Sequence, residues 1–311
     1  MIPILLGISF IVLVLIDITP GDPVRIIVGS TATPEEYAKV REELRLDDPL
    51  PTRYVRFIWN VLRGDFGRSF TTKREVWPDM MQRFPYTLML VSLSMILSLA
   101  IGIPLGVFAA THQYTWKDNL AILISLICVS MPSFWFALLL VRLFSVRLTL
   151  LPPAGIEEWQ GWILPTFSLA LGYAAVIARQ MRSTVLEVIR QDYITTARAK
   201  GLAERKVLFR HALKNALIPV VMIVGTIFGL SLGGALISEV IFSIPGLGQY
   251  TLTGLINRDY GVIQGTVLFL SAVFCVVILL VDIVFAFIDP RIRSQYIRRR
   301  KRQKERLSDG Q

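Results

Sequence analysis

The chain has 311 residues, 53% apolar and 18% charged, with a formal charge of +10 from 33 Lys+Arg against 23 Asp+Glu. Ordinary soluble domains carry roughly a quarter charged residues, and the apolar residues here lie in runs too long for soluble core helices. Disordered, fibrous and ordinary water-soluble proteins are excluded. Cys128 and Cys275 both fall inside apolar runs, and His112 and His211 are far apart with no C-x-x-C or H-x-x-x-H spacing, so neither a disulfide framework nor a metal site is expected.

A spanning helix needs about 20 predominantly apolar residues, because its backbone must satisfy itself across a hydrocarbon core. Six stretches qualify: residues 2–18, 84–110, 120–141, 162–178, 216–238 and 261–281, the first and fourth being short. The expected fold class is therefore all-α, a polytopic membrane protein with six transmembrane helices. The first stretch also has the length of a secretory signal, but no basic flank precedes it and residues 17–23 hold no small-x-small cleavage pattern. It reads as a span.

Residues 19–83 form a long segment in which 11 basic and 10 acidic residues nearly cancel. Thr33-Pro34-Glu35-Glu36 has an N-cap threonine, a proline at the first helical position and a glutamate placed for a capping box. A second amphipathic stretch puts Tyr54, Val55, Ile58, Trp59 and Leu62 on one face. The segment reads as a small helical cap that either braces the first two spans or meets an external partner. Further along, Pro132 is the best candidate for a helix bend lining a cavity, with Ser130, Ser133 and Trp135 beside it; an ordinary packed kink is the alternative.

Orientation follows from Lys and Arg near span ends. Arg179 through Lys214 holds nine and the tail from Asp289 another nine, whereas 142–161 and 239–260 hold two and one. Both termini and the 183–215 loop are thus expected in the cytoplasm, with 19–83 outside. In that loop, residues 192–200 read as a helix stopped by Gly201, a residue suited to a left-handed cap. A second helix is expected over 203–215. Such a basic knob also fits a DNA-reading helix-turn-helix or a topology signal, but it is tethered between two spans with no room for other domain core, and no nucleic-acid partner is expected.

In the fifth span, Gly225, Gly229 and Gly233 recur every four residues on one face, which suits close helix approach at a subunit interface beside a pathway, or within the chain. Glu239 and Asp282 sit near span ends, where capping or pairing with Arg258 or Arg291 is expected. The run Arg298-Arg299-Arg300-Lys301-Arg302 follows the last span directly and suits anionic headgroups. The segments in order are 1–18 (first helix), 19–83 (extracytoplasmic), 84–290 (five-helix core with the 183–215 loop) and 291–311 (basic tail).

At "DYITTARAKGL…RHALKNALIP" the chain resembles the inner-membrane permease subunits of ABC importers, in the branch that handles peptides, nickel and glutathione. The likeness continues through "PGDP" (20–23), "GDFGRSF" (64–70), "IPLGVFAA" (103–110), "SMPSFW" (130–135), "FSIPGLGQ" (242–249), "NRDYGVIQG" (257–265) and "DPRIR" (289–293). Where the general family motif has Glu-Ala-Ala, this chain has Thr195, Thr196 and Ala197, so only Ala197 and Gly201 carry over strictly. The resemblance implies a type I ABC importer permease fold in a bacterial inner membrane, non-catalytic, carrying di- or oligopeptides, glutathione or nickel chelates. It implies that Ala197 packs closely on an ATPase subunit, that Gly201 turns the chain, and that Arg198, Lys200 and Arg205 meet acidic groups there. The implied partners are a homologous second permease, two ATPase subunits that bind ATP and Mg, an extracytoplasmic binding protein and the lipid bilayer. No cofactor is implied in this subunit, which has no G-x-x-x-x-G-K-[ST]. A self-sufficient channel or ion-coupled carrier, the other class considered, would call for intramembrane charge relays or inverted repeats.

Overall fold

A computed structural model describes residues 1–18, 23–29, 33–43 and 47–288. Among these the chain is helical, with a single antiparallel bridge between Arg68 and Glu75. The helices are α1 (Ile2–Ile18), α2 (Pro23–Val28), α3 (Pro34–Glu43), α4 (Leu50–Leu62), α5 (Val76–Thr111), α6 (Trp116–Ser130), α7 (Ser133–Leu140), α8 (Ile163–Val188), α9 (Asp192–Ala199), α10 (Glu204–Lys206), α11 (Leu213–Gly234), α12 (Leu236–Ile241), α13 (Leu247–Ile256) and α14 (Tyr260–Ile288). The tail from 289 and most of "PGDP" lie outside the described residues.

The six expected spans are corrected in detail. Four helical stretches are long and apolar enough to cross a membrane: Val76–Thr111, Trp159–Val188, Glu204–Gly234 and Tyr260–Phe287. The first, α1, has 17 residues. The third is not one helix: α6 stops at Ser130 and α7 resumes at Ser133, with a 99° bend between α6 and the stretch that continues α7 to Arg147. Pro132 is the cause, since its ring disfavours helical geometry in the residue before it and it offers no N–H. Met131 is accordingly extended, at φ −78° and ψ 126°.

The second span starts at Val76, eight residues before its apolar run, because Val76 and Met80 are buried with Leu247, Tyr250 and Val262. Tertiary packing here overrides the charges of Asp79 and Arg83. The expected separate helix over 203–215 is corrected too. Glu204–Lys206 runs through a π-helical turn, Val207–Ala212, straight into α11. That helix then ends at Gly234 rather than 238, and Glu239 belongs to the short α12.

The chain clusters into two compact units, each built from three segments. One comprises Met1–Leu93, Ser133–Ser168 and Leu230–Cys275; the other comprises Ser94–Pro132, Leu169–Gly229 and the chain from Val276. The first unit is organised around Glu239, which is fully buried. Its Oε1 accepts from Thr87 Oγ1 at 2.6 Å and its Oε2 from the Gln249 amide at 2.8 Å, while Thr87 Oγ1 accepts from the Leu247 amide at 2.8 Å. Glu239 thus caps α13 from a different helix, satisfying amides that a helix start leaves free. A Cβ at Gly246 would collide with the carboxylate, and one at Gly248 would lie 2.6 Å from Leu236 Cα, which accounts for both glycines of "PGLGQ". No pairing with Arg258 is involved.

In the same unit Asp259 accepts from Ser69 Oγ at 2.5 Å and from the Thr71 amide at 3.1 Å, joining "GDFGRSF" to "NRDYG". In the second unit, α5 and α8 approach closely at Gly102 and Gly106. A Cβ on Gly106 would lie 2.5 Å from the Ala178 carbonyl and 2.6 Å from Met181 Cβ. Around that contact Met95, Ile177, Met181, Val185, Ala216 and Val220 form a buried core.

Candidate functional site: the basic elbow after α8

The elbow lies wholly in the second unit. Helix α9 begins after Gln191, which is extended, and carries Asp192 in its first turn and Arg198 in its last, both favourable to the helix dipole. It ends at Lys200, and Gly201 has φ +74°, the left-handed conformation the sequence predicts. The Gly201 amide donates to the Arg198 carbonyl at 2.9 Å. Nothing lies within 4 Å of where a Gly201 Cβ would stand, so the backbone angle alone requires glycine.

The turn folds α9 back on α10 and the π-helical start of α11. Ile194 and Ala197, three residues apart on one face, are buried against Val207 and Ala212, with Leu202 and Leu208 around them. The Ala197 side chain therefore packs within its own chain rather than outward. Arg198 is committed internally as well. Its Nε donates to Glu204 Oε2 at 3.0 Å and its Nη2 to Oε1 at 2.6 Å, a bidentate pair bridging Gly201. Glu204 raises the Arg198 pKa further above its ordinary value. Because both partners are largely exposed, the pair contributes at most about 1 kcal/mol.

What the elbow presents outward is Thr195, Thr196, Lys200 and Arg205, all exposed. The Thr196 hydroxyl turns back to the Asp192 carbonyl at 2.9 Å. Two aromatic side chains that the sequence reading did not single out share this exposure, Tyr193 at 43% and Phe209 at 55%. Periodicity along the chain could not have found them, since Tyr193 has Ile189 and Ala197 four residues away and Phe209 has Ala212 and Leu213 three and four residues away. The Tyr193 hydroxyl accepts from Asn215 Nδ2 at 2.8 Å. Exposed aromatic and cationic side chains on one short elbow have the composition of a protein-docking surface, where aromatic and arginine anchors dominate.

A second missed feature lies on α8, ahead of the elbow. Asp118, at the start of α6 and 1% exposed, accepts from Arg182 Nε and Nη2 at 2.7 Å each. The Tyr114 amide also donates to Asp118, at 3.2 Å, from a turn in which Tyr114 has φ +64°. The clamp fixes the last part of α8, and Arg182 lines a surface groove with Glu187, Arg190 and Gln191 leading to α9.

The remaining candidates are dispersed. Ser130, Pro132, Ser133 and Trp135 are all exposed at the bend between α6 and α7. Gly225 is an internal contact, since its Cβ position is occupied by the Val281 methyls of α14; Gly229 is buried, and Gly233 faces open space. The glycine row is thus divided between packing and exposure rather than forming one interface. Among the described residues no group of three or more His, Cys, Asp and Glu side chains is placed to hold a metal ion.

A family model described as the binding-protein-dependent transport system inner membrane component matches residues 102–294, and the N-terminal model for the same systems' membrane component matches residues 1–91. The chain is 41% identical over 293 residues to the glutathione transport system permease protein GsiC of Salmonella paratyphi A, covering 94% of this chain and 96% of the relative. The GsiC protein of Escherichia coli K12 is 40% identical with the same coverage. Among solved structures, an inward-facing form of the MetNI methionine ABC transporter aligns with 68% of this chain and 96% of its own, at TM-score 0.59 and 19% identity. That likeness concerns the fold.

Proposed function

Because the chain belongs to the family of binding-protein-dependent transport system inner membrane components, and is the non-catalytic permease subunit of an ABC importer in a bacterial inner membrane, we propose that it forms half of a translocation pathway for short peptides. Glutathione, the cargo for which its relatives are named, is the first candidate. The family implies ATPase subunits and a substrate-binding protein as partners. We place a homologous second permease beside this chain, two ATPase subunits holding ATP and Mg against the elbow, and no cofactor in this subunit.

The observation that carries this reading is the elbow itself. A short helix with a buried inner face is held at a fixed angle by a left-handed glycine, and its outer face offers aromatic and basic groups to a partner. Lys200, Arg205, Tyr193 and Phe209 make the contact in this scheme, while Ala197, Arg198 and Gly201 set its shape. Closure of the ATPases then moves the elbow, and the α10–α11 continuity passes that motion into a span without an intervening hinge.

Both termini and the 183–215 loop face the cytoplasm in this scheme, with 19–83 outside. Labelling of Lys200→Cys from outside intact cells, in a background lacking Cys128 and Cys275, would reject that orientation. The functional test is reconstitution with cognate ATPases and a cognate binding protein. ATP-dependent uptake of labelled glutathione or dipeptides is expected, and uptake by this chain alone down an ion gradient would overturn the assignment.

A further inference from the structure

Helix α4 is apolar over more of its circumference than its packing uses. Tyr54, Phe57, Ile58 and Val61 are half-buried, whereas Val55, Trp59 and Leu62, which fall on a separate stripe, are 66%, 56% and 75% exposed. The single face expected from the sequence is therefore split in two. Beside the exposed stripe runs a polar edge of Thr52, Arg56, Arg63 and Asn60. The Arg63 guanidinium lies 4.8 Å over the Trp59 ring, and Arg56 is paired with Asp48 at 2.5 Å.

The packed face fixes where α4 lies along α1. Arg53 reaches toward one end to Asp17 at 2.6 Å. Tyr54 reaches toward the other, donating to the Leu6 carbonyl at 2.8 Å, meeting Ser9 Oγ at 3.1 Å and standing edge-on to Phe10 at 5.3 Å. Leu6 and Asp17 are separated by about 16 Å of helix rise, so α4 crosses α1 between them, about two turns inside the end that carries Asp17. Leu6 and Phe10 are themselves 40% and 43% exposed, so α1 keeps exposed apolar side chains next to where Tyr54 of α4 meets it.

We infer that α4 is an interfacial helix whose Val55–Trp59–Leu62 stripe is immersed in the acyl boundary of the leaflet at the Asp17 end of α1, with Arg56 and Arg63 among the phosphate headgroups. Such helices bury their apolar face about 5–10 Å below the headgroups, the depth set by the α1 crossing. An amphipathic tryptophan under an arginine suits that boundary. A packed membrane helix would call for small residues on the contact face, whereas these three are large. The outer segment is on this view anchored to lipid along α4, which leaves other parts of 19–83 to meet the binding protein.

Spin labels at Val55→Cys and Leu62→Cys, with Glu42→Cys on the exposed part of α3 as reference, test this in the full chain with Cys128 and Cys275 replaced. The chain is co-assembled with its partner subunits in phosphatidylethanolamine/phosphatidylglycerol nanodiscs. Oxygen, which partitions into lipid, and a water-soluble nickel chelate report the surroundings. The expected result is an oxygen-to-chelate accessibility ratio several-fold above that at residue 42, unchanged when binding protein is added. A ratio equal to that at residue 42, protection from both reagents, or a loss of accessibility on adding binding protein would each overturn the inference, the first in favour of water, the second a permease partner, the third the binding protein.

Discussion

Substitution of Gly201 separates backbone conformation from side-chain contact. At φ +74° with open space around the Cβ position, a side chain meets no steric obstacle, so the cost is conformational. A non-glycine residue in the left-handed region costs about 1–2 kcal/mol, less for asparagine and more when β-branched. The Arg198–Glu204 pair across the turn contributes at most about 1 kcal/mol in its exposed setting and cannot hold the elbow against that cost. A loss of about 1–2 kcal/mol shifts the equilibrium between the docking-competent elbow and its other conformations roughly 5- to 30-fold against the former. Transport and ATPase co-purification at matched membrane expression are therefore expected in the order wild type, Gly201→Asn, Gly201→Ala, Gly201→Val, the two readouts falling together. Equal activity of wild type and Gly201→Val would refute the hinge. Asparagine as damaging as valine would show that glycine's small size, not its φ, is what the site requires.

Removing Asp118 strands Arg182, so Asp118→Ala is expected to cost roughly 2–4 kcal/mol of stability, below the full penalty for a wholly buried pair because Arg182 keeps some solvent. The Asp118→Ala/Arg182→Ala double variant should lose less than the two singles summed, and additive thermal shifts in detergent would show that the clamp is not a unit. Glu239→Ala leaves the Gln249 amide and the Thr87 hydroxyl without their acceptor, at about 1–3 kcal/mol each. Glu239→Gln, which keeps an acceptor, should melt between it and wild type. The Glu36 carboxyl is held below its ordinary pKa of 4.5 by the Thr33 amide first and its hydroxyl second. Its folded pKa lies below its unfolded one, so its contribution to α3 is complete above about 4.5 and lost as pH falls through the lower folded value. The protection of the α3 amides, corrected for intrinsic exchange, should fall over that interval, and Thr33→Val, which removes the hydroxyl but keeps the amide, should flatten the profile in part.

The sequence by itself determined what depends on local chemistry. Long apolar runs can satisfy their backbone in lipid only as helices, so the all-α membrane class was legible from composition. Thr33 and Glu36 form the reciprocal capping pair their spacing predicts, Gly201 turns left-handed where the helix stops, and Pro132 breaks the helix that contains it. Each of these acts within four residues of itself. The tertiary structure decided everything that depends on a partner far along the chain. Val76 and Met80 extend α5 because they are buried on α13 and α14 residues. Glu239 is a helix cap rather than an ion-pair partner because Thr87 and the amide of Gln249 converge on it. Ala197 turns inward because Val207 and Ala212 lie beneath it. Gly106 is fixed by the Ala178 carbonyl, while Gly201, the same residue type, is fixed by φ alone. A capping box or a proline break is a property of neighbouring residues and can be read along the chain. A buried carboxylate's donor or the face a glycine gives up is a property of distance in space, and only packing brings those residues together.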